Sequence, residues 1–308
     1  MEIFVTPPFP APQFERSRPA VPPPGSGPGY WAGAPSACMV DGVTYLAYRL
    51  RRPIGQGRGY AVVVARSADG ERFETLTVIG KEQLAAESLE RPALVTTEDG
   101  RFRLYVSCAT TGTKHWRVEV LEAADPLSFD PVGTNVVLPG SESVGVKDPV
   151  ILKHDGKWHL WASCHPLADP DAADQMATDY ATSADGLEWT WHGTVLTGRP
   201  GHWDARGVRV SAVVPYKGRT FAYYDGRASA AENFEERTGL AVGEGFGMLL
   251  PVGDQPAAAS PYGRGGLRYL CVVPVPGAGW RLYYEAATAD GGHELRTEFH
   301  PAPGLNQA

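Results

Sequence analysis

The chain has 308 residues, 43% of them hydrophobic and 20% charged, with a formal net charge of −7. An acidic balance without a basic stripe argues against a nucleic-acid partner, and no apolar run approaches the roughly 18 residues that a membrane helix needs. Met1-Glu2-Ile3-Phe4-Val5 lacks the basic and long apolar regions of a secretory signal, so a cytoplasmic location is expected.

Glu2 to Thr6 is short and β-prone, and is expected to pair with the outer edge of the last structural unit. Residues 7–29 are rich in proline and glycine, with Pro22-Pro23-Pro24-Gly25, and should form an extended surface strap. From residue 30 onward a single pattern recurs. Its plainest copy lies in the middle of the chain. There Val146-Lys147-Asp148-Pro149 forms a charged corner, and Val150 to Leu152 an apolar strand. His154-Asp155-Gly156-Lys157 has the Asp-Gly signature of a tight turn, and the aromatic strand Trp158 to Ser163 follows. Other copies start at Ala34-Pro35, Glu90-Arg91-Pro92, Gly207-Val208 and Gly266-Leu267. The apolar strands begin near residues 35, 92, 149, 208 and 267, an almost constant step.

A second marker keeps the same phase. Ser67-Ala68-Asp69-Gly70 and Ser183-Ala184-Asp185-Gly186 fall late in the first and third copies, and Asp125-Pro126-Leu127-Ser128 in the second. Each reads as the turn between a third and a fourth strand. Four strands in each of five units predict an all-β fold, a five-bladed β-propeller of four-stranded antiparallel blades in a single domain over residues 1–308. The competing arrangement is a pair of β-sandwiches whose turn spacing coincides. Residues 81–90 have a helix-like pattern and should bridge blades one and two, and the tail 301–308 should be unstructured. Cys38, Cys108, Cys164 and Cys271 read as reduced packing residues, a disulfide pair being the alternative.

In a propeller, the residues just before each innermost strand and just after each second strand converge at one mouth of the central channel. The first set comprises Gly33-Ala34, Glu90-Arg91, Lys147-Asp148, Arg206-Gly207 and Gly265-Gly266. The second comprises Arg49/Arg51, Ser107-Cys108, Cys164-His165, Asp225 to Arg227 and Glu285. Glu90 and Asp148, on adjacent blades, are the expected acid/base carboxylates, with Asp225 the next candidate. Arg91, Lys147, Arg206, Arg209 and Arg49 could hold an anionic group, with His165 and Glu285 beside them. The plain alternative is that these groups form structural ion pairs between blades. No His/Asp cluster has metal-ligand spacing, so neither a metal nor a cofactor is expected. The expected partner is a small-molecule substrate, and nothing in the sequence sets an oligomeric state.

Lys147-Asp148-Pro149-Val150 resembles the Asp-Pro start of an inner strand in the five-bladed propeller glycoside hydrolases, the clan holding families 43, 32, 68, 117 and 130. The likeness covers most of residues 30–300 at the level of blade pattern. It implies a glycoside hydrolase-type enzyme, and together with the charged ring, whose arginines could hold a carboxylate or phosphate, it gives the expectation of a small, anionic, sugar-containing substrate. By analogy with family 43, Asp148 matches the aspartate that tunes the acid's pKa and orients the substrate. Two other positions depart from that family. Ala34-Pro35 stands where its base aspartate would be, and Arg206-Gly207 where its acid glutamate would be. The Asn-Asp-Pro of family 32 is absent from blade one, and Glu90 is a carboxylate that neither scheme requires. The alternative is therefore a relative that does not hydrolyse, either a biosynthetic lyase or cyclase on a small metabolite or a glycan-binding protein. A non-catalytic scaffold is a third reading. The segment 225–239, rich in Asp, Glu and Arg, is equally distinctive and has no assigned role.

Overall fold

The computed structural model describes residues 7–169 and 171–302. Among the described residues twenty strands, numbered in chain order, make five four-stranded antiparallel blades. Blade one is β2 (Trp31–Val40), β3 (Val43–Arg51), β4 (Gly59–Ser67) and β5 (Glu74–Gly80). Blade two is β6 (Ala86–Thr96), β7 (Phe102–Thr110), β8 (Trp116–Ala123) and β9 (Asn135–Leu138). Blade three is β10 (Val144–His154), β11 (Lys157–Pro166), β12 (Ala177–Ser183) and β13 (Thr190–Leu196). Blade four is β14 (Gly207–Tyr216), β15 (Arg219–Arg227), β16 (Arg237–Gly243) and β17 (Leu250–Val252). Blade five takes β18 (Leu267–Val275), β19 (Gly279–Ala287) and β20 (His293–Pro301) from the end of the chain. Its fourth strand is β1 (Arg18–Val21), which pairs antiparallel with β20 through Arg18 to Thr297 and Val21 to Leu295.

The amino-terminal region thus closes the ring, but through Arg18–Val21, inside the expected strap. The expected closing segment, Glu2 to Thr6, lies outside the described residues. Residues 81–90 also differ from expectation. Only Lys81–Leu84 forms a single 3-10 turn, which ends at Ala85 in the left-handed region, and strand β6 starts at Ala86.

Each innermost strand neighbours the next around the channel, and β2 returns to β18. Five hydrophobic clusters fill the five gaps between blades. Strand alternation sends successive residues to opposite neighbours. Leu46 packs toward blade five and Ala47 toward blade two; Val63 and Ala65 face blade five, and Val62 and Val64 face blade two. Both faces of a blade are covered, so its strands read as continuous apolar runs rather than alternating ones.

The Ser-Ala-Asp-Gly marker is a latch between blades. Asp69 Oδ1 accepts from the Ser67 hydroxyl and from the N–H groups of Glu71 and Arg72, which leaves the Gly70 carbonyl facing outward. Tyr283 of blade five donates to that carbonyl at 2.8 Å. Asp185 builds the same turn in blade three, and Tyr105 of blade two donates to the Gly186 carbonyl at 2.8 Å. Both Gly70 and Gly186 have positive φ and sit against these tyrosines, so a Cβ at either would collide with its neighbours.

Every innermost strand carries a β-bulge near its start, at Gly33/Ser36, Leu89/Pro92, Lys147/Val150, Val210/Ala212 and Arg268/Cys271. Ala34, Asp148 and Tyr269 occupy the left-handed region there, with φ of 52°, 54° and 56°. Bulges re-aim side chains. Here they set the corners of the channel, and they correct the expected phase. The charged corners of blades four and five are Arg209-Val210 and Arg268-Tyr269, not Arg206-Gly207 and Gly265-Gly266.

Candidate functional site

At the mouth formed by these corners the channel widens into a funnel of about 470 Å³. Arg49, Arg51, Arg58, Lys114, Lys147, Arg206, Arg209, Arg227 and Arg268 line it, against the carboxylates of Glu90, Asp171, Asp174 and Glu236. Inside the wall runs a chain of alternating charge. Arg51 Nη1 donates to Glu90 Oε1 at 3.0 Å, and Arg49 bridges Glu90 to Glu285, at 2.6 Å from Glu285. Arg268 joins Glu285 at 2.7 Å to Glu236 at 2.6 Å, and Arg227 closes on Glu236. All of these side chains are buried. They arise from blades one, two, four and five, so the chain also ties blades together. Burying so many ions is tolerable only because each is paired and hydrogen-bonded.

Beneath this chain Arg209 is held by two aspartates. Its Nη1 donates to Asp148 Oδ2 at 3.2 Å and its Nε to Asp225 Oδ2 at 2.9 Å. Asp148 is fixed in turn by the Arg91 and Ser107 region: its Oδ1 accepts from Arg91 N–H, and its own N–H donates to the Ser107 hydroxyl. Tyr269 forms the floor. Its backbone N–H donates to Asp225, its hydroxyl accepts from Arg209, and its ring lies under the Arg209 guanidinium at 3.8 Å. On one side Phe234, itself at φ 75°, sets its ring against Arg51 and Trp31.

The expected site residues fall in three places. Glu90, Lys147, His165, Arg49, Arg206 and Arg209 line the funnel. Asp148, Asp225 and Glu285 are fully buried behind its wall and act on it through Arg209, Arg49 and Arg268. Arg91 faces away. It lies across the channel and donates through Nη2 to the carbonyls of Pro35, Ser211 and Leu270, on three different blades. It lines a second cavity of about 900 Å³ at the opposite mouth, whose walls include Met39, Val95, Ile151, Leu152, Val213 and Val272. Arg206 stands at the rim, paired to Asp174 at 2.6 Å.

Glu236, Arg268, Tyr269 and Phe234 were not anticipated as site residues. For Arg268 a signal existed: like Arg209, it is a lone charge within an apolar inner strand. The segment 225–239 also finds its place. Asp225 fixes Arg209 and Tyr269, Glu236 takes Arg227 and Arg268, Glu232 takes Arg237, and Glu235 caps the N–H groups of Arg264 and Gly266.

The electrostatics separate the carboxylates. Burial works against ionisation of Glu90, but Arg49, Lys147, Arg51 and Arg268 outweigh it and hold the group down to about 2. Glu285 and Glu236 are likewise held well below the usual range, burial being overcome first by Arg268 in each case. Asp225 goes the other way: burial raises it despite Arg209. His165 is pushed down to about 3 by burial and then by Lys147. Its tautomer follows from its partners. Nδ1 lies 2.9 Å from the Ala173 carbonyl and must carry the proton, so Nε2 accepts from the Ser163 hydroxyl at 3.1 Å. This imidazole is a fixed neutral wall group rather than a free proton shuttle.

Among the described residues no group of three or more His, Cys, Asp or Glu is placed to hold a metal ion, and no helix is long and apolar enough to cross a membrane. The four cysteines are free thiols.

No family model and no curated protein matches the sequence. The three-dimensional comparison is different. A thermostable family-43 glycoside hydrolase superposes with a TM-score of 0.69 at 15% identity, over 89% of this chain and 91% of the other. The chain has the fold of the propeller glycoside hydrolases. A GH43_1 enzyme from Xanthomonas citri, solved with xylotriose, gives 0.65 at 16% identity, over 92% and 89% of the two chains. The β-1,2-mannobiose phosphorylase of Listeria innocua gives 0.62 at 14% identity, over 94% and 96%.

Proposed function

We propose that this protein is a carbohydrate-active enzyme of the glycoside hydrolase type, which takes a small, anionic, sugar-containing substrate into the funnel. The observation that carries the anionic part is the excess of cations over carboxylates on the funnel wall. It is reinforced by guanidinium nitrogens that are buried and have no hydrogen-bond acceptor: Nη2 of Arg209 and Nε of Arg49, Arg51 and Arg227. A ligand carboxylate or phosphate would give such donors charge-assisted partners. The carbohydrate part is supported by the fold shared with the family-43 enzymes and the mannobiose phosphorylase.

Glu90 is one of the carboxylates at the wall. Its ionised state suits it to offset positive charge at a sugar carbon or to orient a water molecule. Asp148 and Asp225 keep Arg209 aimed into the funnel. The second reading, a relative that performs lysis or cyclisation on a small metabolite, is favoured by one feature. Glu90, Glu236 and Asp174 on the wall are already engaged by arginines, and blade one presents Ala34 at its corner. Under both readings the substrate is a small molecule.

The test is a panel of nitrophenyl glycosides of neutral and uronic sugars, with and without inorganic phosphate, against the wild type and Glu90→Gln. Turnover is expected on uronides, reduced by ~10²-fold or more in the variant. Preference for neutral glycosides would remove the anionic reading. No turnover by the folded wild type would favour the non-hydrolytic relative.

A further inference from the structure

Glycosidic cleavage needs a proton for the departing oxygen, and the usual source is a carboxylic acid with a raised pKa. Despite burial, Glu90, Glu236 and Asp174 on the wall are held low by the arginines beside them, and Asp171 stands exposed at the rim. Asp225, which burial pushes upward, is fully buried and does not line the funnel. His165 has both nitrogens engaged by Ala173 and Ser163. The Tyr269 hydroxyl is pushed well above its ordinary value by burial, and guanidinium groups do not release protons in this range.

Lys147 is different from the other inner cations. It lines the funnel, and its ammonium lies over the Trp116 ring at 4.6 Å. Its nearest carboxylate oxygen, Asp148 Oδ2, is 3.7 Å away, beyond a hydrogen bond, whereas Arg49, Arg51, Arg209, Arg227 and Arg268 all donate directly to carboxylates. The bulge at Lys147/Val150, which turns Asp148 inward beneath the wall, leaves Lys147 on the funnel side.

We propose that the Lys147 ammonium is the proton donor of this site, an inference that rests on reading the funnel as a place where glycosidic bonds are broken. As the anomeric C–O bond breaks, its electron pair goes to the leaving oxygen, which takes a proton from Nζ and departs as an alcohol. Water adds to the anomeric carbon, and the proton it sheds restores the ammonium. One water is consumed and nothing is oxidised or reduced. The groups facing Nζ tune it. Burial pushes the amine below its ordinary value and Arg209 adds to this, while Asp148, Glu90 and Glu236 oppose them; His165 beside it is neutral. A lysine lowered in this way gives up its proton more readily than a free one and can recover it from water.

Two measurements test this. In the first, lysines of the wild type are reductively methylated with isotopically labelled formaldehyde, the Lys147 signal is assigned by its loss in Lys147→Arg, and its titration is followed by NMR. A midpoint well below the other lysines is expected; an ordinary midpoint overturns the proposal. In the second, Lys147→Met and Lys147→Arg are compared with wild type on a methyl uronide and a dinitrophenyl uronide. The loss should be greater on the methyl uronide by ~10²-fold, because the dinitrophenolate departs without protonation. Equal losses on both, or full activity in Lys147→Arg on the methyl uronide, would overturn it. If the wild type cleaves no glycoside, the functional reading of the funnel fails, and the inference resting on it falls too even where the amine titrates low.

Discussion

Replacing Glu90 with glutamine keeps the side chain's size but removes the charge that Arg49 and Arg51 share. Both guanidiniums are buried, with 0% and 2% of their side-chain surface exposed, so neither can turn to water. The gap between the ordinary 4.5 and the native value of about 2 corresponds to ~3 kcal/mol of stability at neutral pH. Breaking one member of a buried pair gives a similar figure, about 3–5 kcal/mol. The sign follows from the direction. A carboxylate held lower in the native state stabilises it fully above its unfolded value, and that contribution is lost as pH falls from about 4.5 through about 2. Urea denaturation of wild type and Glu90→Gln should therefore differ by ~3 kcal/mol at neutral pH, and the difference should shrink steadily in acid. A variant as stable as wild type at neutral pH, or a gap that does not change with pH, would refute the view that Glu90 is held by its two arginines.

Tyr105→Phe and Tyr283→Phe should each cost ~1 kcal/mol by loss of the hydroxyl bond to the turn carbonyl of the neighbouring blade. The two costs should add, because the latches join different blade pairs, and chemical denaturation of the double variant would show this. Arg91→Met leaves three inner-strand carbonyls without their shared donor, so a loss of ~3 kcal/mol or more is expected in the same assay. His165, held down to about 3, should show nitrogen NMR shifts of the Nδ1–H tautomer through the whole neutral range. As it is lower in the native state than in the unfolded one, its contribution to stability should fade as pH drops from about 6.5 toward about 3, and His165→Gln should flatten that part of the profile.

The inner strands and the blade latches were legible in the sequence because their causes are local. Asp155-Gly156 makes a turn whatever surrounds it, and Asp69 and Asp185 cap the N–H groups of residues two and three positions on. Glu90, Lys147 and Arg209 could be read toward one mouth because strand direction alone sends them there. The corners of blades four and five could not be read correctly. A bulge adds a residue without altering the apolar pattern, so Arg206 and Gly265 looked equivalent to Lys147 when Arg209 and Arg268 were.

Sequence by itself determined the number of blades, their strand order and most of the charged ring, since periodicity and turn chemistry are written within a few residues of each other. Tertiary structure alone decided which charges meet. Glu236 joins Arg268 across a loop, Arg49 reaches Glu285 on the far side of the ring closure, and Arg18–Val21 completes a blade formed by the last strands of the chain. Those partners are chosen by ring closure, which brings distant segments within a few ångströms. It also removes the water that would otherwise let each charge stand alone.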